Sequence, residues 1–153
     1  MLRNSFLLNH DYFVHKTIVQ KLTSNKFELL FDSEQTSKII PLTLGASEAI
    51  VKACPRNNVS QTLITKILLG VFGCAPAYDK FFRDAAKKYG ICSSQWGERS
   101  LQSLWHYYTH HQEAFEKLRY EISLDGFLYT PMKLMDMCLW QIGYDESQKV
   151  VFT

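Results

Sequence analysis

The clearest alternation of apolar and polar positions lies between Asn58 and Gly90, where two helical runs flank the connection Gly70-Val-Phe-Gly-Cys-Ala-Pro76. In the first run Val59, Leu63, Ile64, Ile67, Leu68 and Val71 recur three and four residues apart, the spacing that gathers side chains onto one helix face. Asn58 or Ser60 can accept from its open N-terminal amides. In the second run Tyr78, Phe81, Phe82, Ala85, Ala86 and Tyr89 form the stripe, with Asp79, Lys80, Arg83, Asp84, Lys87 and Lys88 filling the remaining positions. Lys87 and Lys88 suit the negative end of the helix dipole, and Gly90 is a natural left-handed terminator. Between the runs, Gly70 and Gly73 permit tight backbone geometry, and Pro76 fits the opening turn of a helix.

The same spacing predicts helices elsewhere. Asp11 to Leu22 is one; Phe27 to Phe31 is too short for periodicity to choose between helix and strand. Gln35 to Ile40 makes a single turn before Pro41, and Ser47 to Cys54 a helix that Pro55 ends. A long helix begins at Ser94 or, because Gly97 weakens the first turn, nearer Ser100, and runs to about Arg119. Its buried face is Leu101, Leu104, Trp105, Tyr108, Phe115 and Leu118. Asp125-Gly126 signals a turn. Thr130 then caps a last helix with Pro131 in its first turn; Gly143 closes it, and Ser147 to Thr153 forms a short extended or frayed tail. Met132, Leu134, Met135, Met137, Cys138, Leu139, Trp140 and Ile142 make that helix apolar nearly all round, a pattern that belongs in the centre of a bundle. The expected fold is all-α: a compact bundle of about six to seven helices, one helical domain over residues 1–153, with the 58–90 hairpin inside it.

Composition agrees. The chain's 153 residues are near the commonest domain length, and an apolar fraction of 46% with 14% aromatic residues excludes a disordered chain. No apolar run reaches membrane-spanning length, and the first residues carry neither a long apolar segment nor a small-residue cleavage site. Cys54, Cys74, Cys92 and Cys138 are scattered, so reduced thiols and a cytoplasmic location are expected. A formal charge of +2 gives no global argument for nucleic acid. Locally, Lys66, Lys80, Arg83, Lys87 and Lys88 outnumber Asp79 and Asp84.

Chemistry-bearing patterns are sparse. His106 and His110 stand four apart, a spacing that geometry allows for a metal, but no glutamate lies between them as in H-E-x-x-H, so they read as the polar flank of a helix. No metal and no cofactor is expected. The chain has no G-x-S-x-G nucleophile elbow, and Gly70-Val-Phe-Gly73 lacks the G-K-[ST] of a phosphate loop. Asp79 and Asp136 stand out because both sit beside apolar helix faces, where an acid needs a partner; Lys66 and Lys133 are the candidates.

The segment Leu69-Gly-Val-Phe-Gly-Cys-Ala-Pro-Ala-Tyr-Asp79-Lys-Phe-Phe82 resembles the helix-hairpin-helix base-excision DNA glycosylases, which join a Gly-rich helical hairpin to a Pro-x-x-Asp start of a helix. The resemblance implies that Asp79 is the catalytic acid, stabilising the positive sugar or activating water. It implies Lys66 as the nearest counterpart of the hairpin lysine that forms a Schiff base in bifunctional members. The flipped base would then occupy a pocket with Trp105, Tyr108, Asp136 and Trp140. Two departures stand against it: hairpin and Pro-x-x-Asp element are fused here, and the chain is short for the family's two lobes. Lys133 to Gly143 is similar to the closing helices of bacterial proteins with related helical architecture. The favoured reading is therefore a non-enzymatic module that binds a macromolecule, with DNA as a candidate through Lys80, Arg83, Lys87 and Lys88; a glycosylase-like enzyme is the alternative.

Overall fold

The computed structural model of the chain describes residues 36–54, 59–122 and 128–149. The predicted segments at 11–22 and 27–31, Asn58, the Asp125-Gly126 turn and the last residues of the tail lie outside them. Among the described residues the protein is all-helical: α1 (Thr36–Ala53), α2 (Gln61–Phe72), α3 (Lys80–Lys88), α4 (Glu98–His110), α5 (Gln112–Glu121) and α6 (Pro131–Lys149).

Helix ends follow local chemistry. The Ser60 hydroxyl accepts from the Leu63 amide at 3.2 Å to start α2, and Gly73, at φ +61°, ends it. The α3 helix closes with bonds from Ile91 N to Ala86 O and from Gly90 N to Lys87 O, a Schellman motif that needs the left-handed φ of +63° at Gly90. Thr130 caps α6, its Oγ1 accepting from the Lys133 amide at 3.2 Å. The same hydroxyl donates to the Gly73 carbonyl at 2.6 Å, so one side chain ties the end of α2 to the start of α6.

Several boundaries depart from the sequence pattern. Pro41 does not end a turn: α1 runs through it, because Ile39, Thr43, Ala46, Ser47 and Ile50 lie on one buried face and only a continuous helix aligns them. Pro76 is not in an opening turn either; α3 begins at Lys80, and Tyr78 precedes the cap Asp79. The long helix breaks at His111, where the stripe running through Tyr108 meets polar His111 and Gln112, and no residue of α5 is fully buried. Gly97, without a side chain to cap, precedes α4. Gly143 does not close α6, which continues through Ser147 to Lys149. A Cβ on Gly143 would lie 2.1 Å from the Phe81 carbonyl oxygen, so glycine is there to let α3 and α6 touch backbone to backbone. Among the described residues these two helices form the most extensive pairing.

Among the described residues the core has two parts. Tyr78, Phe82, Leu101, Leu104, Met132, Met135 and Leu139 fill the space between α3, α4 and α6, while Ala46, Ile50, Ile64, Leu68 and Phe72 join α1 to α2. Trp96 packs against both and donates its indole N–H to Ser47 at 3.1 Å.

Candidate functional site

The Gly73–Asp79 connection, non-helical and largely buried, positions the site. Side chains from α2 and α6 anchor it. Thr65 Oγ1 accepts from Tyr78 N at 2.9 Å, Thr62 Oγ1 donates to Tyr78 O at 2.8 Å, and Asp136 Oδ1 accepts from Ala77 N at 2.8 Å. Apart from the bond from Asp79 N to Ala77 O at 2.8 Å, these side chains supply the partners of the Ala77 and Tyr78 backbone groups.

Beside this connection opens a groove of about 1350 Å³. The α2 helix lines it with Lys66, Leu69 and Gly70, the connection with Ala77 and Asp79, α5 with Leu118 and its C-cap Ile122, and α6 with Lys133, Met137, Trp140 and Ile142; Leu128 and Tyr129 complete it. Its surface is mainly apolar, and Leu128, Met137 and Ile142 are among the exposed large hydrophobic residues. Small-molecule sites run to about 300–1,000 Å³, so this groove is larger than most of them.

Of the residues singled out from sequence, the groove brings together Lys66, Asp79, Asp136 and Trp140. Trp105 and Tyr108 do not line it. They are 7% and 4% exposed in the core, on the α4 face that carries Leu101 and Leu104, and the Tyr108 hydroxyl donates to Glu116. Asp79 is half-buried and caps α3, its Oδ1 accepting from Phe82 N at 3.1 Å. Lys66 is exposed. Asp136, 7% exposed, pairs through Oδ2 with Lys133 at 3.3 Å, so Lys133 and not Lys66 is its partner. Burial raises the Asp136 pKa, against the opposing pull of the Ala77 amide and Lys133; the charge of Asp79 adds a further raise.

The basic residues of α3 are less available than their number suggests. Lys80 and Lys87 are exposed, but Arg83 is half-buried and donates from Nε to the Asp79 carbonyl at 3.2 Å. Lys88 is held by Glu146 at 2.6 Å, and Tyr89 OH donates to the same carboxylate oxygen at 2.8 Å. Those two bonds lower the Glu146 pKa, and the first raises that of Lys88.

Sequence reasoning does not single out Leu128 or the open row of α6 that carries Met137. The one available signal is the all-round apolarity of α6. Among the described residues no group of three or more His, Cys, Asp or Glu is placed to hold a metal ion, and no helix is long and apolar enough to cross a membrane. Comparison of the chain with family models, curated proteins and solved structures finds no match.

Proposed function

We propose that the chain is a non-enzymatic macromolecule-binding module whose groove receives an amphipathic helix of a partner protein. One observation carries this reading: from Met132 to Ile142 α6 is apolar on most sides, yet it leaves Met137, Ile142 and part of Trp140 open along a groove with apolar residues from α2 and α5. Apolar patches of this kind, flanked by polar groups, mark interaction surfaces, and a helix laid in a groove is a recurring mode of protein recognition. Protein is favoured over DNA because the groove carries Asp79 and Asp136 against Lys66 and Lys133, and because Lys88 and Arg83 on the α3 face already have partners. The four free thiols accord with a cytoplasmic setting as part of the same proposal.

The test is a displayed library of helical peptides selected on the wild-type protein and counter-selected on Met137→Glu. Enrichment of peptides with apolar anchors at i, i+3/4 and i+7 that bind wild type and not the variant supports the reading. Binders indifferent to Met137→Glu, or no enrichment, would overturn it.

A second reading retains the glycosylase-like activity, favoured by the meeting of Asp79, Lys66, Asp136 and Trp140 in one groove. It requires retention on duplex or damaged DNA at low salt, weakening steeply as salt rises, together with release of a base that Asp79→Asn abolishes. Absence of both activities rules it out.

A further inference from the structure

Beyond the C-terminal end of α3, away from the Asp79 cap, a second cavity of about 530 Å³ is lined by Gly90, Ile91, Gln102, Ser103, Tyr107 and the pair His106 and His110. The two histidines are one turn apart on α4, with ring centroids 6.4 Å apart and planes inclined by 25°. Among the described residues neither ring makes a hydrogen bond, and no carboxylate or lysine lines the cavity to neutralise or compete with them. Both side chains are exposed and line the same open cavity, so an ion in solution can reach both rings.

We propose that His106 and His110 form a two-imidazole site for a borderline transition-metal dication, Zn²⁺ or Cu²⁺, with water or an incoming ligand completing the coordination. With Zn–N bonds of about 2.0–2.1 Å and tetrahedral angles, two ligating imidazoles have centroids about 5 Å apart. The observed separation is therefore within about 1.5 Å of the bound geometry, a distance that small side-chain rotations of exposed residues close. Imidazole nitrogen suits Zn²⁺ and Cu²⁺, with Cu²⁺ the tighter by the usual order of divalent affinities, while Mg²⁺ and Ca²⁺ require oxygen donors that this cavity does not offer. Two protein ligands leave open positions, the arrangement of an exchangeable rather than a sealed structural site. The inference is independent of the groove, which lies on other elements.

The test is titration of the tag-free, full-length protein with Zn²⁺ alone and Cu²⁺ alone, followed by calorimetry and by the histidine ring resonances in NMR spectra. One equivalent is expected to bind, Cu²⁺ more tightly than Zn²⁺. With Zn²⁺ the His106 and His110 ring signals should shift. His106→Gln and His110→Gln should each weaken binding by about tenfold or more. Both residues are exposed, so circular dichroism should report wild-type folding in each variant. Binding that neither substitution weakens, shifts confined to other histidines, or a non-saturating response that marks an adventitious ion only would each overturn the proposal.

Discussion

Replacing Gly143 by alanine tests how α3 and α6 are held together. The added Cβ would sit 2.1 Å from the Phe81 carbonyl oxygen and 2.7 Å from its carbonyl carbon. Carbon–oxygen contacts of this kind settle at about 3.3 Å or more, so the helices must part by about 1 Å. Both contacted atoms are backbone, and no rotamer change relieves them. A gap of about 1 Å forfeits a quarter to a half of each dispersion contact it opens, here along the seam of Phe82, Ala85, Met135 and Leu139. Overpacking of this sort costs about 1–3 kcal/mol, and alanine returns up to about 1 kcal/mol through its better helix propensity. The expected net loss is about 1–2 kcal/mol, or a fall in Tm of about 2–8 °C for a chain of this size.

Gly45 supplies the control. It is also helical, and it is exposed, with nothing within 4 Å of the place an added Cβ would occupy, so Gly45→Ala should stabilise by about 0.5–1 kcal/mol. Urea denaturation followed by far-UV circular dichroism measures both, with unchanged m-values confirming that the same transition is read. The reasoning fails if Gly143→Ala is as stable as wild type while Gly45→Ala behaves as expected, because backbone contact would then not be what glycine provides at position 143.

Other consequences are open to similar measurement. Thr130→Val removes both the cap of α6 and the bond to the Gly73 carbonyl, and should cost about 1–2 kcal/mol in chemical denaturation. Asp79→Ala should lose about 1 kcal/mol with the α3 cap, whereas Asp79→Asn, an equally good capping residue, should lose little; a loss of any DNA-directed activity in the asparagine variant therefore reports chemistry rather than folding. Because the folded pKa of Asp136 is raised, the folded state binds that proton more tightly than the unfolded state. Its contribution to stability is thus greatest at low pH and declines as pH rises from the ordinary value of 3.8 through the raised one. Asp136→Asn should remove this decline from a stability–pH curve. Met137→Glu should abolish groove-dependent peptide binding while shifting stability by no more than about 0.5 kcal/mol, since the side chain is exposed.

What the sequence reveals directly is what neighbouring residues decide. The Ser60 and Thr130 caps, the Gly90 terminator and most of the stripes of α2, α3 and α4 depend on partners a few positions away and stand in the structure; Tyr89 of the α3 stripe does not, being 54% exposed. Pro41 misleads because a local penalty is outweighed by burial of a whole helix face, which no window around the proline contains. The acids are conspicuous for being acids in apolar surroundings, and both line the groove. Trp105 and Tyr108 belong to no such pocket, and their own spacing with Leu101 and Leu104 already points them into the core.

The groove itself is not legible in the sequence, and the reason lies in α6. On a helix apolar nearly all round, the row Met132, Met135, Leu139, Gly143 and the row Lys133, Met137, Trp140, Tyr144 both have helical spacing, and hydrophobicity alone does not say which turns inward. The deciding residue is Gly143. Only its row lets the α3 backbone approach at Phe81, and that contact turns the second row outward, with Phe81 resting edge-on against Trp140 and Tyr144 at 5.4 and 5.6 Å. By its spacing alone Gly143 is a helix terminator; packed on α3, it selects the face of α6 that closes the core and thereby the face left open along the groove.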